Sequence, residues 1–133
     1  MLRNFFKINL IFILFSIFLS CEEYEQEKKE DVFRSYTGEV EVLNSCGQSG
    51  AAFLMRDFLR KNGFDVVSYG NSRLQNFQET VLVVHTFDWE GVKPLAKVLE
   101  TDNILYIKNK HAYVDVTVYV GKNFQEIITQ DSL

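Results

Sequence analysis

The stretch VEVLNSCGQSGAAFLMRDFL, residues Val40–Leu59, decides the fold class, because its apolar period changes from that of a strand to that of a helix. In GEVEVLN, Val40 and Val42 alternate with glutamates, which is the two-residue period of a half-buried strand. After SCGQSG the apolar residues recur at helical spacing, at Ala51, Leu54, Met55, Phe58 and Leu59. The stretch therefore predicts a strand, a turn that holds Cys46, and an amphipathic helix.

The middle of the chain predicts a second α/β half. KNGF ends the first helix, with Gly63 suited to the left-handed C-terminal position. FDVVSYGN and TVLVVHTF predict strands, and the unbroken apolar run of the second indicates a central position covered on both faces. DWEGVKPLAKVLE predicts a helix that begins near Glu90 or Gly91, because Pro94 is tolerated only in the first turn. Its apolar stripe consists of Val92, Leu95, Ala96 and Leu99.

The last third of the chain holds two strand-like runs, one near Ile104 and one from Val114 to Val120, with IKNKHA between them as a hairpin turn. Together the patterns predict an α+β fold, an α/β sandwich of order β-α-β-β-α-β with room for an extra short strand. We expect two helices on one face of a mixed sheet, packed in a ferredoxin-like split βαβ arrangement.

The first 21 residues have the layout of an export signal: Arg3 and Lys7, an apolar run from Leu10 to Leu19, and Ser20 before Cys21. About ten apolar residues are half of the ~20 that span a bilayer, so a transmembrane helix is the weaker interpretation. The end of the segment, IFLSC, resembles the lipobox of bacterial lipoproteins. The resemblance implies a lipid-anchored Cys21 carrying fatty acyl chains such as palmitate; a cleavable signal before an unmodified cysteine is the alternative.

Behind Cys21, EEYEQEKKED contains no aliphatic residue and reads as a flexible tether. We divide the chain into a signal peptide (1–20), a lipidated cysteine with an acidic flexible linker (21–37), a folded domain (38–126) and a C-terminal tail (127–133). Removal of residues 1–20 lowers Lys and Arg from 14 to 12 against 18 Asp and Glu, so the net charge changes from −4 to −6. An acidic mature chain argues against nucleic acid as a partner.

Three blocks of sequence in order, VEVLN with small residues before the first helix, GFDVVSYGN, and VTVYVGKN, resemble the C-terminal domain of the LytR cell-envelope attenuator family. The matching positions are Val40–Asn44, Gly47, Gly50, Gly63, Phe64, Val66, Gly70, Asn71, Val116–Val118, Gly121 and Asn123. Ser45 and Cys46 stand where that family has Gly-Ser. The 133 residues leave no room for the family's large transferase-like domain. The resemblance therefore implies an envelope location and says little about chemistry.

Cys46 is the only residue that suggests a nucleophile, because a helix N-terminus favours the thiolate. Nothing in the spacing brings the two histidines, His85 and His111, to it. Two histidines and one thiol without paired spacing also form no metal-ligand pattern, and NSCGQSGAA lacks the lysine of a phosphate-binding loop. We expect no catalytic residue, no metal and no cofactor, and therefore no enzyme.

Loops after the strands are the predicted binding residues, because asparagine amides and free backbone groups suit neutral, hydroxyl-rich ligands: Asn44, Ser45, Gly47, Gly50, Gly70, Asn71, Gly121 and Asn123. The alternative is that asparagine and glycine only serve turn geometry. A split βαβ arrangement would place Gly121 and Asn123 at the opposite end of the sheet from the others, so a single site formed by all three loops would contradict that arrangement.

Three aromatic residues are further candidates. Trp89 and Tyr119 can stack on a sugar ring, although core packing is the commoner role. Phe53 lies outside the helical stripe, which indicates either a partner surface or a position covered by residues 32–36. We expect an exported, membrane-anchored domain that binds peptidoglycan or a wall glycan; the alternative is an interaction or scaffolding module for envelope proteins.

Overall fold

The computed structural model describes residues 36–130; the predicted signal peptide, Cys21 and nearly all of the linker lie outside the described residues. The described part forms five strands and three helices: β1 (Tyr36–Asn44), α1 (Ala51–Lys61), β2 (Phe64–Asn71), β3 (Val81–Val84), α2 (Val92–Val98), β4 (Ile104–Tyr106), β5 (Val116–Val120) and α3 (Phe124–Thr129). The mixed α+β class is confirmed, and β4 is the extra short strand.

The strands form one mixed sheet of order β2-β1-β5-β3-β4. β1 is parallel to both β2 and β5, whereas β5 is antiparallel to β3, and β3 is parallel to β4. The expected split βαβ arrangement is wrong, because β1 and β2 are direct neighbours, with Asn44 paired to Asn71. The central place belongs to β5, whose residues are buried on both faces apart from the half-buried Tyr119.

The predicted hairpin at IKNKHA is also wrong. β4 pairs with β3, and β5 pairs with β1 and β3, so the strands on either side of this segment are not neighbours. Residues 107–115 instead form a loop that passes across the end of β3. The sequence pattern locates β4 and β5 but does not indicate that β3 lies between them in the sheet.

All three helices contribute to one core on one face of the sheet, with Val40 and Val42 at its centre. In α1 the buried residues match the predicted stripe, except that Leu54 is 44 % exposed and Ala52 is buried. α2 begins at Val92 with Pro94 in its first turn, as the sequence predicts. The short α3 has no sequence-based prediction behind it, and it carries Ile127, which lies beyond the predicted domain end, into the core.

A bulge in β2 explains the position of Phe53. Between the pairs Val40–Val66 and Glu41–Ser68, β2 contains one extra residue, and Tyr69 then pairs with Val42, a residue of the helix-covered face. The ring of Tyr69 therefore meets α1.

There, the rings of Tyr69 and Phe53 lie edge to face at 6.3 Å. The guanidinium of Arg56 stacks on both rings, at 4.3 Å and 4.2 Å. Phe53 is thus half-exposed but packed within its own domain.

Trp89 has a structural position. Its indole lies against Gly38 and Gly91, where the Cβ of any other residue would overlap the ring. The indole N–H donates to the carbonyl of Thr37. The ring thus closes the start of β1 against α2, and a ligand role for Trp89 stays a prediction.

Candidate functional site: the loop edge and the open-face cleft

The predicted binding loops come together at one end of the sheet. Because β1, β2 and β5 are parallel neighbours, their C-terminal ends share an edge, where Asn44 pairs with both Asn71 and Val120. We call this end the loop edge; it holds Asn44, Ser45, Gly47, Gly50, Gly70, Asn71, Gly121 and Asn123. All eight predicted site residues lie here, which is the result that the split arrangement forbids.

Most polar groups of the loop edge bond within the protein. The Asn44 amide donates to the Gln48 carbonyl at 2.7 Å. Its oxygen accepts the backbone N–H of Cys46 at 3.1 Å and of Gly47 at 3.2 Å. Asn44 is buried, so its side chain fixes the strand-to-helix turn from inside. Ser45 is also buried, and within residues 36–130 its hydroxyl has no hydrogen-bond partner.

The loop after β5 is fixed in the same way. The Asn123 side-chain oxygen accepts both the backbone N–H and the hydroxyl of Thr80, each at 3.0 Å. A Cβ at Gly121 would overlap the backbone of Glu79. Asn123 and Gly121 therefore join the end of β5 to the start of β3, which is a structural task.

The remaining predicted residues are more exposed. Gly47 and Gly50 have φ values of 78° and 81°, and Gly50 caps the N-terminus of α1 in this left-handed conformation. A Cβ at Gly70 would meet nothing within 4 Å, and Asn71 is exposed. Among the eight predicted residues, Gly70 and Asn71 are thus the positions at which no contact within the domain explains the residue type. A ligand role for the eight residues stays a prediction.

Cys46 lies far from His85. The thiol is buried and donates to the Asn44 side-chain oxygen at 3.2 Å. Cys46 follows the Asn44–Val120 end of the sheet, whereas His85 follows the Val84–Val116 end. Four residues of β5 separate these ends, which is about 13 Å at ~3.3 Å per residue. The structure thus provides no nucleophile–base pair between Cys46 and His85.

The sheet face opposite the helices, which we call the open face, carries a cleft of about 690 Å³. It is lined by Glu39, Glu41, Val67, Ser68, His85, Asn109, His111, Ala112, Tyr113, Val114, Thr117 and Tyr119. Residues from β1, β2 and β5 form its floor, and the loop over residues 107–115 forms its wall. Carboxylates, imidazoles, hydroxyls and two phenol rings therefore converge in one concave surface.

A chain of hydrogen bonds crosses the floor of the cleft. Thr117, which is 3 % exposed, donates its hydroxyl to Glu41 Oε2 at 3.2 Å. His85 Nε2 lies 3.0 Å from the same hydroxyl oxygen. His85 Nδ1 lies 3.2 Å from the carbonyl of Ile107. The chain thus links a carboxylate on β1 to the first residue of the loop.

Two tyrosines give the cleft its aromatic character. Burial raises the pKa of Tyr119, and the negative charge of Glu41 raises it further, so the phenol is neutral at physiological pH. Tyr113, in the loop, is 95 % exposed. A ring this exposed makes almost no packing contribution to the fold, so it is free to stack on a ligand.

A groove of similar volume, about 670 Å³, lies on the helical side of the molecule beside α2. Its polar lining consists mainly of surface side chains such as Lys93, Lys97 and Glu100. The cleft on the open face is the better candidate site, because it holds a partly buried polar network and two tyrosine rings.

The sequence-based site prediction missed the cleft residues Glu39, Glu41, Tyr113 and Thr117. The alternation of GEVEVLN already indicated that Glu39 and Glu41 share the uncovered face of β1. The partner residues come from β5 and from the loop, and only strand order brings them to Glu41. Within residues 36–130, no group of three or more His, Cys, Asp or Glu side chains could hold a metal ion.

The sequence profile of the LytR cell envelope-related transcriptional attenuator family matches residues 38–124. Neither a curated protein nor a solved structure matches the chain. None of the helices within residues 36–130 has the length and apolarity to cross a membrane. The family match covers most of the chain and contains both the loop edge and the floor of the cleft. The chain therefore belongs to the LytR cell envelope-related transcriptional attenuator family.

Proposed function

We propose that the protein is an exported lipoprotein, anchored to a membrane through Cys21 and facing the periplasm or the cell surface, whose domain binds peptidoglycan or a wall glycopolymer without catalysis. The observation that carries this proposal is the cleft on the open face. It offers to a ligand the combination of groups that sugar recognition uses, namely ring faces for stacking and acceptors for hydroxyl groups.

The charges in the cleft favour one kind of wall polymer. Among the described residues that line it, Glu39 and Glu41 supply negative charge and none is lysine or arginine. Carboxylates accept hydrogen bonds from hydroxyl, amide and amine groups but repel phosphates. Peptidoglycan, whose sugars and peptides carry such donors, therefore fits the cleft better than a phosphate-bearing glycopolymer.

The proposal of a non-catalytic role rests on the distance between the reactive groups. The buried thiol of Cys46 lies at one end of the sheet, and His85 lies at the other. A nucleophile and its base must lie within hydrogen-bond reach, which is about 3 Å.

Sedimentation with isolated cell-wall sacculi tests the wall-binding proposal. We expect the full chain, kept in a mild detergent because of its apolar start, to sediment with sacculi above an unrelated acidic control protein. Tyr113→Ala removes an aromatic ring from the cleft and should weaken retention roughly tenfold. The matched control is Tyr106→Ala, another exposed tyrosine outside the cleft. Wild-type retention no higher than that of the control protein would contradict wall binding.

The lipid anchor is tested separately. We expect a labelled fatty acid to be incorporated into the wild-type chain and not into Cys21→Ala. Label that persists in the variant would contradict attachment at this residue. The result is independent of wall binding, because residue 21 lies outside the domain.

A second function, docking to an envelope protein, is favoured by an exposed apolar strip at the β4 edge of the sheet. Leu105, Tyr106 and Ile107 are each about half exposed, and Phe87 lies edge to face against Tyr106 at 5.7 Å. An edge strand without charged side chains is a typical surface for pairing with another chain. If Tyr106→Ala disrupts localisation or assembly while sacculus binding is absent, this second function replaces the first.

A further inference from the structure

We propose that His85 is a proton-controlled tie, which fastens the loop over residues 107–115 beside the cleft when its ring carries a second proton and thereby regulates access to the cleft. The inference deepens the proposed function and rests on it only in taking the cleft as the binding site. His85 lies between the floor of the cleft, at Thr117, and the first residue of the loop, Ile107.

The three contacts of the chain need more protons than neutral side chains supply. The hydrogen-bond chain ends in two groups that can only accept hydrogen bonds, the ionised Glu41 carboxylate and the Ile107 carbonyl. Three contacts between these ends require three protons. A neutral imidazole supplies one N–H and Thr117 supplies one O–H, so one contact lacks a proton whenever His85 is neutral.

Neutral His85 therefore has two arrangements. In the first, Nε2–H donates to Thr117, whose hydroxyl donates to Glu41, and the bare Nδ1 faces the Ile107 carbonyl. In the second, Nδ1–H donates to Ile107 and the Thr117 hydroxyl turns to Nε2, so that Glu41 loses its donor. Only the first arrangement leaves the Ile107 carbonyl without a donor and so releases the loop. A second proton on the ring excludes the first arrangement, because both ring nitrogens then donate.

Backbone hydrogen bonds to the rest of the domain hold the two ends of the loop over residues 107–115. Its ends are fixed by the Ile107 N–H, which donates to Val84, and by Asp115, which bonds to Glu39 and His85 through the backbone. Between these ends, the recorded bonds of the loop are local ones around Asn109. The contact of His85 with the Ile107 carbonyl therefore adds to the backbone bond of Ile107 in holding the first part of the loop against the floor.

Charged and titratable groups face His85 from every neighbouring element. β1 contributes Glu39 and Glu41, β5 contributes Tyr119, the loop contributes Lys108, Lys110, His111 and Tyr113, and the segment after β3 contributes Asp88. Of these groups, His111 is the other histidine. It is exposed, and its recorded hydrogen bond is made by the backbone, so it serves as a control.

The test is hydrogen exchange of the loop amides in the full chain, corrected for intrinsic rates, at about pH 7.5 and about pH 5.5, either side of the ordinary histidine transition. In the wild type, we expect protection within residues 108–114 to rise about twofold to tenfold on acidification, the factor expected for one hydrogen bond. His111→Gln should keep this rise.

Two variants should abolish the rise for different reasons. In Thr117→Val, Nε2 has no hydroxyl partner, so neutral His85 keeps its proton on Nδ1 and the loop stays protected at both pH values. In His85→Gln, protection is also independent of pH, because a glutamine amide takes up no proton.

Equal protection of the wild-type loop at both pH values would overturn the inference, whatever the variants do. A pH response that survives in Thr117→Val would overturn it as well. The measurement uses no ligand, so failure of sacculus binding leaves it interpretable. Sacculus binding with a loop that ignores pH would refute the tie and leave the proposed function intact.

Discussion

The loop edge and the open-face cleft both carry polar side chains but differ in how many of them face solvent. At the loop edge the amide of Asn44 and the side-chain oxygen of Asn123 bond to the protein itself. In the cleft, Tyr113 faces solvent, and Glu41 and Tyr119 are only half-buried. Asn44 and Asn123 thus build the turn geometry of the domain, whereas the cleft exposes groups that are available to a ligand.

The largest effect expected from this comparison is at Gly121. We expect Gly121→Ala to lower the free energy of unfolding by about 3 kcal/mol, because the new Cβ would overlap the backbone of Glu79. Thermal or denaturant unfolding measures the change. Gly70→Ala is the matched control and should change stability by less than about 0.5 kcal/mol, since no atom lies within 4 Å of its Cβ. Equal losses of stability in Gly121→Ala and Gly70→Ala would contradict the structural role assigned to Gly121.

Asn44 should show the next largest effect. Asn44→Ala leaves the Gln48 carbonyl and two backbone N–H groups without their partner, which costs about 2 kcal/mol. Asn71→Ala, at an exposed position on the neighbouring strand, should stay within about 0.5 kcal/mol of the wild type. Denaturant midpoints of the two variants give the comparison. A stable Asn44→Ala would mean that the amide is held for a ligand.

Cys46→Ser should have a smaller effect. The serine hydroxyl can donate to Asn44 as the thiol does, so we expect a loss of about 1 kcal/mol and unchanged sacculus binding. Sacculus binding and unfolding are measured on the same preparation. Complete loss of function in a normally folded variant would contradict the non-catalytic proposal.

The smallest effect is on the titration of Tyr119. Because its pKa is raised in the folded protein, its contribution to stability is present below the ordinary value of 10.0 and is lost as the pH rises through the folded value. Glu41→Gln should lower the pKa but leave it raised, since burial is the larger cause. Tyrosinate absorbance, with Tyr119→Phe to identify the signal, measures this. No change on Glu41→Gln would place the carboxylate away from the ring.

Local sequence patterns predicted the strands and the first two helices. Strand pairing decided the order of the strands, which these patterns could not predict. The strand and helix of Val40–Leu59 follow from period alone, and the start of α2 shortly before Pro94 follows from the proline. Strand order depends on which apolar strand takes the centre of the sheet, and the sequence of β5 resembles an edge as much as a centre. The bulge in β2 also has no local signal, although it decides that Tyr69 meets Phe53.

The site was predictable only in part, for the same reason. Asparagine and glycine after strands pointed to the loop edge, which does assemble at one end of the sheet, but internal hydrogen bonds use most of its polar groups. The cleft joins Glu41 on β1 to Thr117 on β5 and to Ile107 in the loop. Glu41 and Thr117 are 76 positions apart in sequence, so no spacing rule connects them.

Sacculus sedimentation of two variants, Tyr113→Ala and Asn71→Ala, tests the central claim most directly. Both side chains are exposed, one in the cleft and one at the loop edge, so neither change should disturb folding. We predict that Tyr113→Ala loses most of its retention and that Asn71→Ala keeps it. Loss of retention in Asn71→Ala, with Tyr113→Ala unaffected, would place the ligand at the loop edge and contradict the account.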